Sequence, residues 1–363
     1  MLKPIAAIVG VVALAGTVAS IARPSPPPLW AAGQPQRSSG SPEEEWFLSL
    51  DGGRQWQPIS RALWLEPPLM LSAQVGWTEG ESPNGTFFTA HTRNGGVSWS
   101  LSPHGTAFAL MDFLTPTLGW MSATVPQKGA TLWTVSRSAD GGQQWIPLFR
   151  RKWPGGSITS APNFVNARDG FILNIDGASW TVWTTENGGR TFHPAAPHPV
   201  DLPGFSPVGV TFNTPLRGWV LESSTTASEP GISVLWTSAN GGRTWSERTG
   251  LPPLPSVTAL DFLSARDGWV LAPMTGPHGL PASRGFQLFR TTNGGARWSA
   301  VAKSSALTLS AFIMVTPKLG WAAGGSTIYE TTDGGQSWLR VGTEPGIQWA
   351  SLVSLNSVSR DIQ

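Results

Sequence analysis

Short stretches rich in Val, Ile, Leu, Phe and Trp alternate along this chain with polar turns containing Gly, Pro, Asn or Asp. Strands joined by tight turns produce that punctuation, and helical bundles do not. One string recurs seven times: SLDGGRQW at 49–56, TRNGGVSW at 92–99, SADGGQQW at 138–145, TENGGRTF at 185–192, SANGGRTW at 238–245, TTNGGARW at 291–298 and TTDGGQSW at 331–338. Its chemistry is that of a hairpin. The acidic or amide residue (Asp51, Asn94, Asp140, Asn187, Asn240, Asn293, Asp333) can bond amides of its own turn, and two glycines accept positive φ. The Ser or Thr two residues earlier can add a bond, and the closing aromatic packs back. Read as a ligand site, the string would need seven copies of one site, so these residues are assigned a structural role.

A looser string lies between the turns: FLTPTLGW at 113–120, FVNARDGF at 164–171, FNTPLRGW at 212–219 and FLSARDGW at 262–269, with degenerate copies at 70–77 and 314–321. In each, a strand ends at Phe or Met, the chain turns, and the next strand opens at a Gly-aromatic pair. One unit therefore reads as inner strand, turn, second strand, variable loop, third strand, hairpin and outer strand. Repeats of roughly 40–50 residues with that content predict propeller blades of four antiparallel strands. Six units are whole. PLWAAG at 28–33 resembles LGWAAG at 319–324, so a seventh blade is expected to join three N-terminal strands to one C-terminal strand near Gln348–Leu355. The fold class predicted is all-β: a seven-bladed β-propeller over 28–363, its ring closed by joining the two ends, which hides strand edges.

Composition narrows the rest. Only 13% of the 363 residues are charged, against 42 Gly, 32 Pro and 20 Trp, and the formal charge is +2. A nucleic-acid partner is not implied by so small a charge. The chain has no cysteine, which excludes disulfides, thiolate nucleophiles and cysteine metal sites. At the N-terminus Lys3 precedes an uncharged apolar run, Ile5 to Ala22, and no further charge appears until Arg23. Residues 1–22 read as an export signal; a cleaved signal peptide and an uncleaved membrane anchor both fit. A Pro-rich linker follows at 23–27, and the propeller is expected outside the cytoplasm: secreted, periplasmic or lumenal.

The hairpin string matches the Asp-box, or BNR repeat, of sialidases, sortilin-type receptors and glycosidase propellers. With the FLTPTLGW-like strings and RTTNGGARW at 290–298, the chain more closely resembles the photosystem II stability and assembly factor family of plants and cyanobacteria. That resemblance covers about residues 28 to 363. It implies an exported, non-catalytic scaffold that binds a protein partner and assists assembly or maturation of a membrane or exported complex, with contact to a membrane surface and a monomeric state. No cofactor is implied. The alternative from another class is a carbohydrate-active enzyme of the Asp-box superfamily.

Candidate chemistry is sparse. A sialidase needs a Tyr nucleophile, and the one tyrosine, Tyr329, occupies a place filled by Phe47, Trp183, Trp236 and Phe289 in other units. Asp112 and Asp261 sit at equivalent inner-strand positions, where a carboxylate pair could serve glycoside hydrolysis; solvating the channel or capping a strand is the simpler role. His193 and His198 are too far apart and too Pro-flanked for a metal pair. No catalytic or metal residue is assigned. One basic cluster stands out, Arg150-Arg151-Lys152 beside Trp153, which suits an acidic peptide, an anionic lipid surface or an anionic glycan; a solvated inter-blade loop is the simpler role. The variable loops Glu222–Gly231 and Ala272–Gly285, this cluster, Trp153 and Trp64 are all expected on one propeller face, with Trp64 and Trp153 exposed in connections between blades. Variable loops on a rigid scaffold are where binding usually sits.

Overall fold

The computed structural model describes residues 29–354, except 36–44, 61–63, 66–68, 73, 83, 106, 155–157, 177–178, 200–204, 225–232, 249, 253, 255–256, 277–280 and 344–346. The export segment 1–22, the linker 23–27, the tips of both long variable loops and 355–363 lie outside the described residues.

The fold is an all-β propeller of four-stranded antiparallel blades. Among the described residues six blades are built from consecutive strands, spanning 64–105, 109–154, 158–199, 205–248, 259–304 and 311–343. The second of these shows the plan: Ala109–Phe113, Gly119–Gln127, Ala130–Ser138 and Ile146–Pro154 pair in sequence order from inner to outer edge. A further sheet is composite. Its strand Leu29–Pro35 pairs antiparallel with Glu45–Ser49 on one side and with Ile347–Ser354 on the other.

Burial follows position in the blade. Second strands such as Gly170–Ile175 are buried almost throughout, because both of their faces meet neighbouring blades. Outer strands such as Ser246–Arg248 are exposed along their length. The core is accordingly a series of seams between blades rather than one central mass. At the seam between 109–154 and 158–199, Phe164 stacks flat on Trp120 with centroids 3.7 Å apart. On its other side a Cβ placed on Gly170 would lie 2.5 Å from the Phe164 ring, so only glycine leaves room for it. Trp77 with Phe113, Phe171 with Phe212 and Trp219 with Phe262 repeat the stack at 3.8, 3.5 and 4.5 Å. The looser sequence string is thus a seam device: its Phe slots between its own Gly and the preceding blade's aromatic.

The same tryptophans bond across the seam. The Nε1 of Trp77, Trp120, Trp219 and Trp269 donates to the carbonyl of the first hairpin glycine in the next blade, Gly141, Gly188, Gly294 and Gly334, at 2.8–3.1 Å. Trp321 donates likewise to Gly52 of the composite sheet at 3.2 Å, and it packs with Leu29 and Phe47. A buried indole N–H needs an acceptor, and the hairpin supplies one at a fixed place.

Within each hairpin the expected bonds form. At 138–145 the Ser138 hydroxyl donates to Asp140 Oδ1 at 2.8 Å and accepts from Gly142 N at 2.8 Å, while Asp140 Oδ1 accepts from Gln144 N at 3.0 Å. Gly141 and Gly142 take φ of 79° and 86°. The Gln144 N–H, partly offset by desolvation, holds the Asp140 carboxyl below the ordinary carboxylate range. Gly141 N donates to Thr117 O at 3.0 Å, which ties the hairpin to the Gly-aromatic turn on the same face.

Candidate functional site

Arg150, Arg151 and Lys152 lie in Ile146–Pro154, the outermost strand of its blade, and not in an inter-blade loop. That strand runs nine residues, against three for Ser246–Arg248. Trp153 belongs to it too, and here the expectation of an exposed residue is corrected: Trp153 is buried. It stacks on Trp133 at 5.1 Å and meets Trp183 of the next blade edge-on at 5.3 Å. Trp133 is anchored in turn, its Nε1 donating to Ser122 Oγ at 2.9 Å. Trp64 falls in the short strand Trp64–Leu65, and its side chain lies outside the described residues.

This packing makes a platform for one cation. The Arg151 guanidinium carbon sits 5.3 Å from the Trp153 ring centre and 4.7 Å from that of Trp183. Cation–π contacts of this kind hold a guanidinium in place without neutralising it. Arg150 and Lys152, on either side, are exposed. Three positive charges therefore line the edge of one blade, the middle one fixed on aromatic rings. Chemically the arrangement attracts carboxylates; it offers no nucleophile, general acid or metal ligand.

The two inner-strand aspartates are engaged separately. Asp112 is buried, and its Oδ2 accepts from Phe164 N of the next blade at 2.7 Å. Asp261 Oδ2 accepts from Met314 N at 3.0 Å, again one blade on. Asn163 does the same to Phe212 N at 2.7 Å, so a neutral amide fills the role equally. Desolvation pushes the Asp261 carboxyl up to about 6, with the Met314 N–H pulling the other way. Both aspartates serve as brackets between successive inner strands.

Tyr329 sits where the pairing of the third and outer strands shifts register, packed with the cluster around Trp269 and Leu288. His193 is exposed, whereas His198 stacks on Trp180 at 4.6 Å and lies 4.0 Å from Trp236. Among the described residues no group of three or more His, Asp or Glu is placed to hold a metal ion. Nor is any helix among them long and apolar enough to cross a membrane.

Sequence reasoning passed over one feature. A groove of about 460 Å³ lies between the hairpins at 291–298 and 331–338, lined by Arg290, Asn293, Arg297, Ser299, Asp333 and Gln336 among others. Its signal was present: Arg297 stands where the other six hairpins carry Gln, Ser or Thr.

The fold defines the class, a β-propeller, and comparison with known proteins agrees. No family model and no curated relative matches the chain. Solved structures do. YCF48 bound to D1 peptide is 17% identical with a TM-score of 0.53, covering 76% of this chain and 81% of that one. YCF48 from Cyanidioschyzon merolae is 18% identical with a TM-score of 0.51, covering 77% and 84%. The GH74 xyloglucanase from Xanthomonas campestris is 12% identical with a TM-score of 0.57, covering 84% of this chain but only 50% of the enzyme. Binding proteins and enzymes share this architecture, so the fold alone carries no activity.

Proposed function

We propose that this protein is an exported, non-catalytic scaffold that binds a protein partner and assists assembly or maturation of a membrane or exported complex. The observation that carries the reading is the Arg150–Lys152 edge, with Arg151 seated on Trp153 and Trp183. One ring-seated cation flanked by two unseated ones favours an acidic protein segment and speeds its encounter. The YCF48 structure carrying a D1 peptide is a precedent for peptide binding on this architecture. The carboxylates that an enzyme would use are each committed to a bracket at a different seam, which argues against the glycosidase alternative. Export is ascribed to the Ile5–Ala22 run.

The propeller is proposed to act as a monomeric ring of seven blades, the composite sheet being the seventh. In support, Trp321 bonds Gly52 in the geometry its counterparts use between consecutive blades, and Leu29–Pro35 pairs with Ile347–Ser354. A closed ring leaves no blade edge facing an open gap.

The test is affinity capture from membranes of the native organism with the wild-type protein and an Arg150→Glu, Arg151→Glu, Lys152→Glu variant. Capture is expected to weaken with added salt and to fall sharply in the variant, whose thermal transition should remain. Equal capture at low salt by both proteins would exclude this edge as the binding site.

A further inference from the structure

Four of the seven hairpins carry Asn rather than Asp at the turn. In three of them the side-chain amide is used internally: Asn94, Asn187 and Asn240 each donate through Nδ2 to the hydroxyl four residues on, Ser98, Thr191 and Thr244, at 2.8 Å. The fourth departs from that pattern. At Asn293 the residue four on is Arg297, a pure donor, so the carboxamide N–H has no such acceptor. Its Oδ1 still takes the Thr291 hydroxyl and the Arg297 N–H, at 3.0 and 2.9 Å, so the turn is intact. Both Asn293 and Arg297 are exposed and line the groove of about 460 Å³.

Arg290 adds to this donor set. Its Nη2 bonds Asp267 at 3.0 Å and its guanidinium lies 4.7 Å from the Trp269 ring centre. Its Nε is buried without a hydrogen-bond acceptor. Arg266 also bonds this hairpin, donating through Nε to Thr292 O at 3.4 Å. The one carboxylate in the groove lining, Asp333, is already satisfied: Oδ1 accepts from Thr331 Oγ1 at 2.8 Å and Ser337 N at 2.9 Å, and Oδ2 accepts from the Ser337 hydroxyl. The charged side chains of the lining are two arginines against this one engaged carboxylate. Two guanidinium groups and an uncommitted carboxamide N–H suit a ligand that carries an anionic acceptor.

We propose that this groove binds a small organic carboxylate, held by Arg297, the Asn293 carboxamide and Arg290. Guanidinium–carboxylate bonds are short and directional, and the groove has the size of small-ligand sites. The carboxylate could belong to an acidic sugar or to a simple organic acid, and both present the same recognised group. The site is separate from the Arg150–Lys152 edge and stands or falls without it.

The probes are sodium glucuronate, propionate and glucose, titrated into the whole protein and followed by NMR shifts of the Gly294, Arg297 and Gly334 amides. Two variants keep the hairpin. Asn293→Asp reproduces the residue found at positions 51, 140 and 333, and Arg297→Ser restores the hydroxyl found at 98. Saturable shifts with glucuronate and none with glucose are expected, and they should be lost both in Arg297→Ser, which removes a guanidinium and occupies the Asn293 amide, and in Asn293→Asp, with unchanged thermal transitions. Glucuronate tighter than propionate would assign the source as an acidic sugar; equal affinity would assign a simple acid. Absence of saturable shifts in the wild type, or unaltered binding in Asn293→Asp, would overturn the proposal.

Discussion

Gly170 offers a direct test of how the seams hold the propeller together. Its φ is not positive, so alanine meets no backbone strain there, and the only obstacle is space. A Cβ would lie 2.5 Å from the Phe164 ring, a distance real Cβ atoms do not adopt. The ring cannot retreat, because Trp120 lies flat against its opposite face at 3.7 Å and is itself pinned by its bond to Gly188 O. Overpacking of a seam confined on both sides costs about 1–3 kcal/mol. Gly170→Ala should therefore shift the denaturation midpoint measurably, read by tryptophan fluorescence in urea. In a Phe164→Leu background, which removes the ring, the same substitution should cost far less, giving a coupling of about 1 kcal/mol or more. If Gly170→Ala leaves the midpoint unchanged, or costs the same with and without the Phe164 ring, the sandwich is not what fixes glycine at this position.

Other perturbations test the remaining links. With its folded-state carboxyl near 6 and an ordinary value of 3.8, Asp261 binds its proton more tightly in the folded protein. It thus lowers stability above about pH 6 and ceases to do so as pH falls toward 4. Asp261→Asn keeps the acceptor that Asn163 uses, and should raise stability at pH 7 by on the order of 2 kcal/mol with little gain at pH 4; equal effects at both values would contradict the linkage. Deleting 346–363 removes the partner of Leu29–Pro35 and should lower the melting temperature of the whole domain; an unshifted transition would refute ring closure through that strand.

Most of what could be read from the sequence was local, the exception being the pairing of the strand at Leu29–Pro35 with Ile347–Ser354, which the likeness of 28–33 to 319–324 suggested. The hairpins are legible because every group in them lies within eight residues: hydroxyl, carboxylate or amide, glycine pair and aromatic. The looser string marked strand ends correctly, but its purpose was hidden, since Phe164 answers to Trp120 and Gly170 at once and only one of these belongs to the same string. Asp112 was ambiguous for the same reason: its acceptor role is defined by Phe164 N, 52 residues away. Trp153 was misplaced because the outer strand after the third hairpin continues well beyond its counterparts. The extra length carries Trp153 under the next blade and leaves the arginines and lysine on the edge.

A repeat also changes what counts as evidence for a site. When seven hairpins share one chemistry, a residue that obeys the pattern is already explained by the pattern. Asn94, Asn187 and Asn240 are explained in this way, each by a hydroxyl at 2.8 Å. Arg297 is not, because it forfeits that bond in its own hairpin, places a positive charge beside Arg290, and does so where two blades leave a groove. Arg151 is a second case: no other outer strand seats a cation on rings from two blades among the cation–π contacts of the described residues. Both deviations add charge at an exposed position and leave the seam packing intact. Removing either charge is therefore expected to change what the surface attracts before it changes how the blade folds.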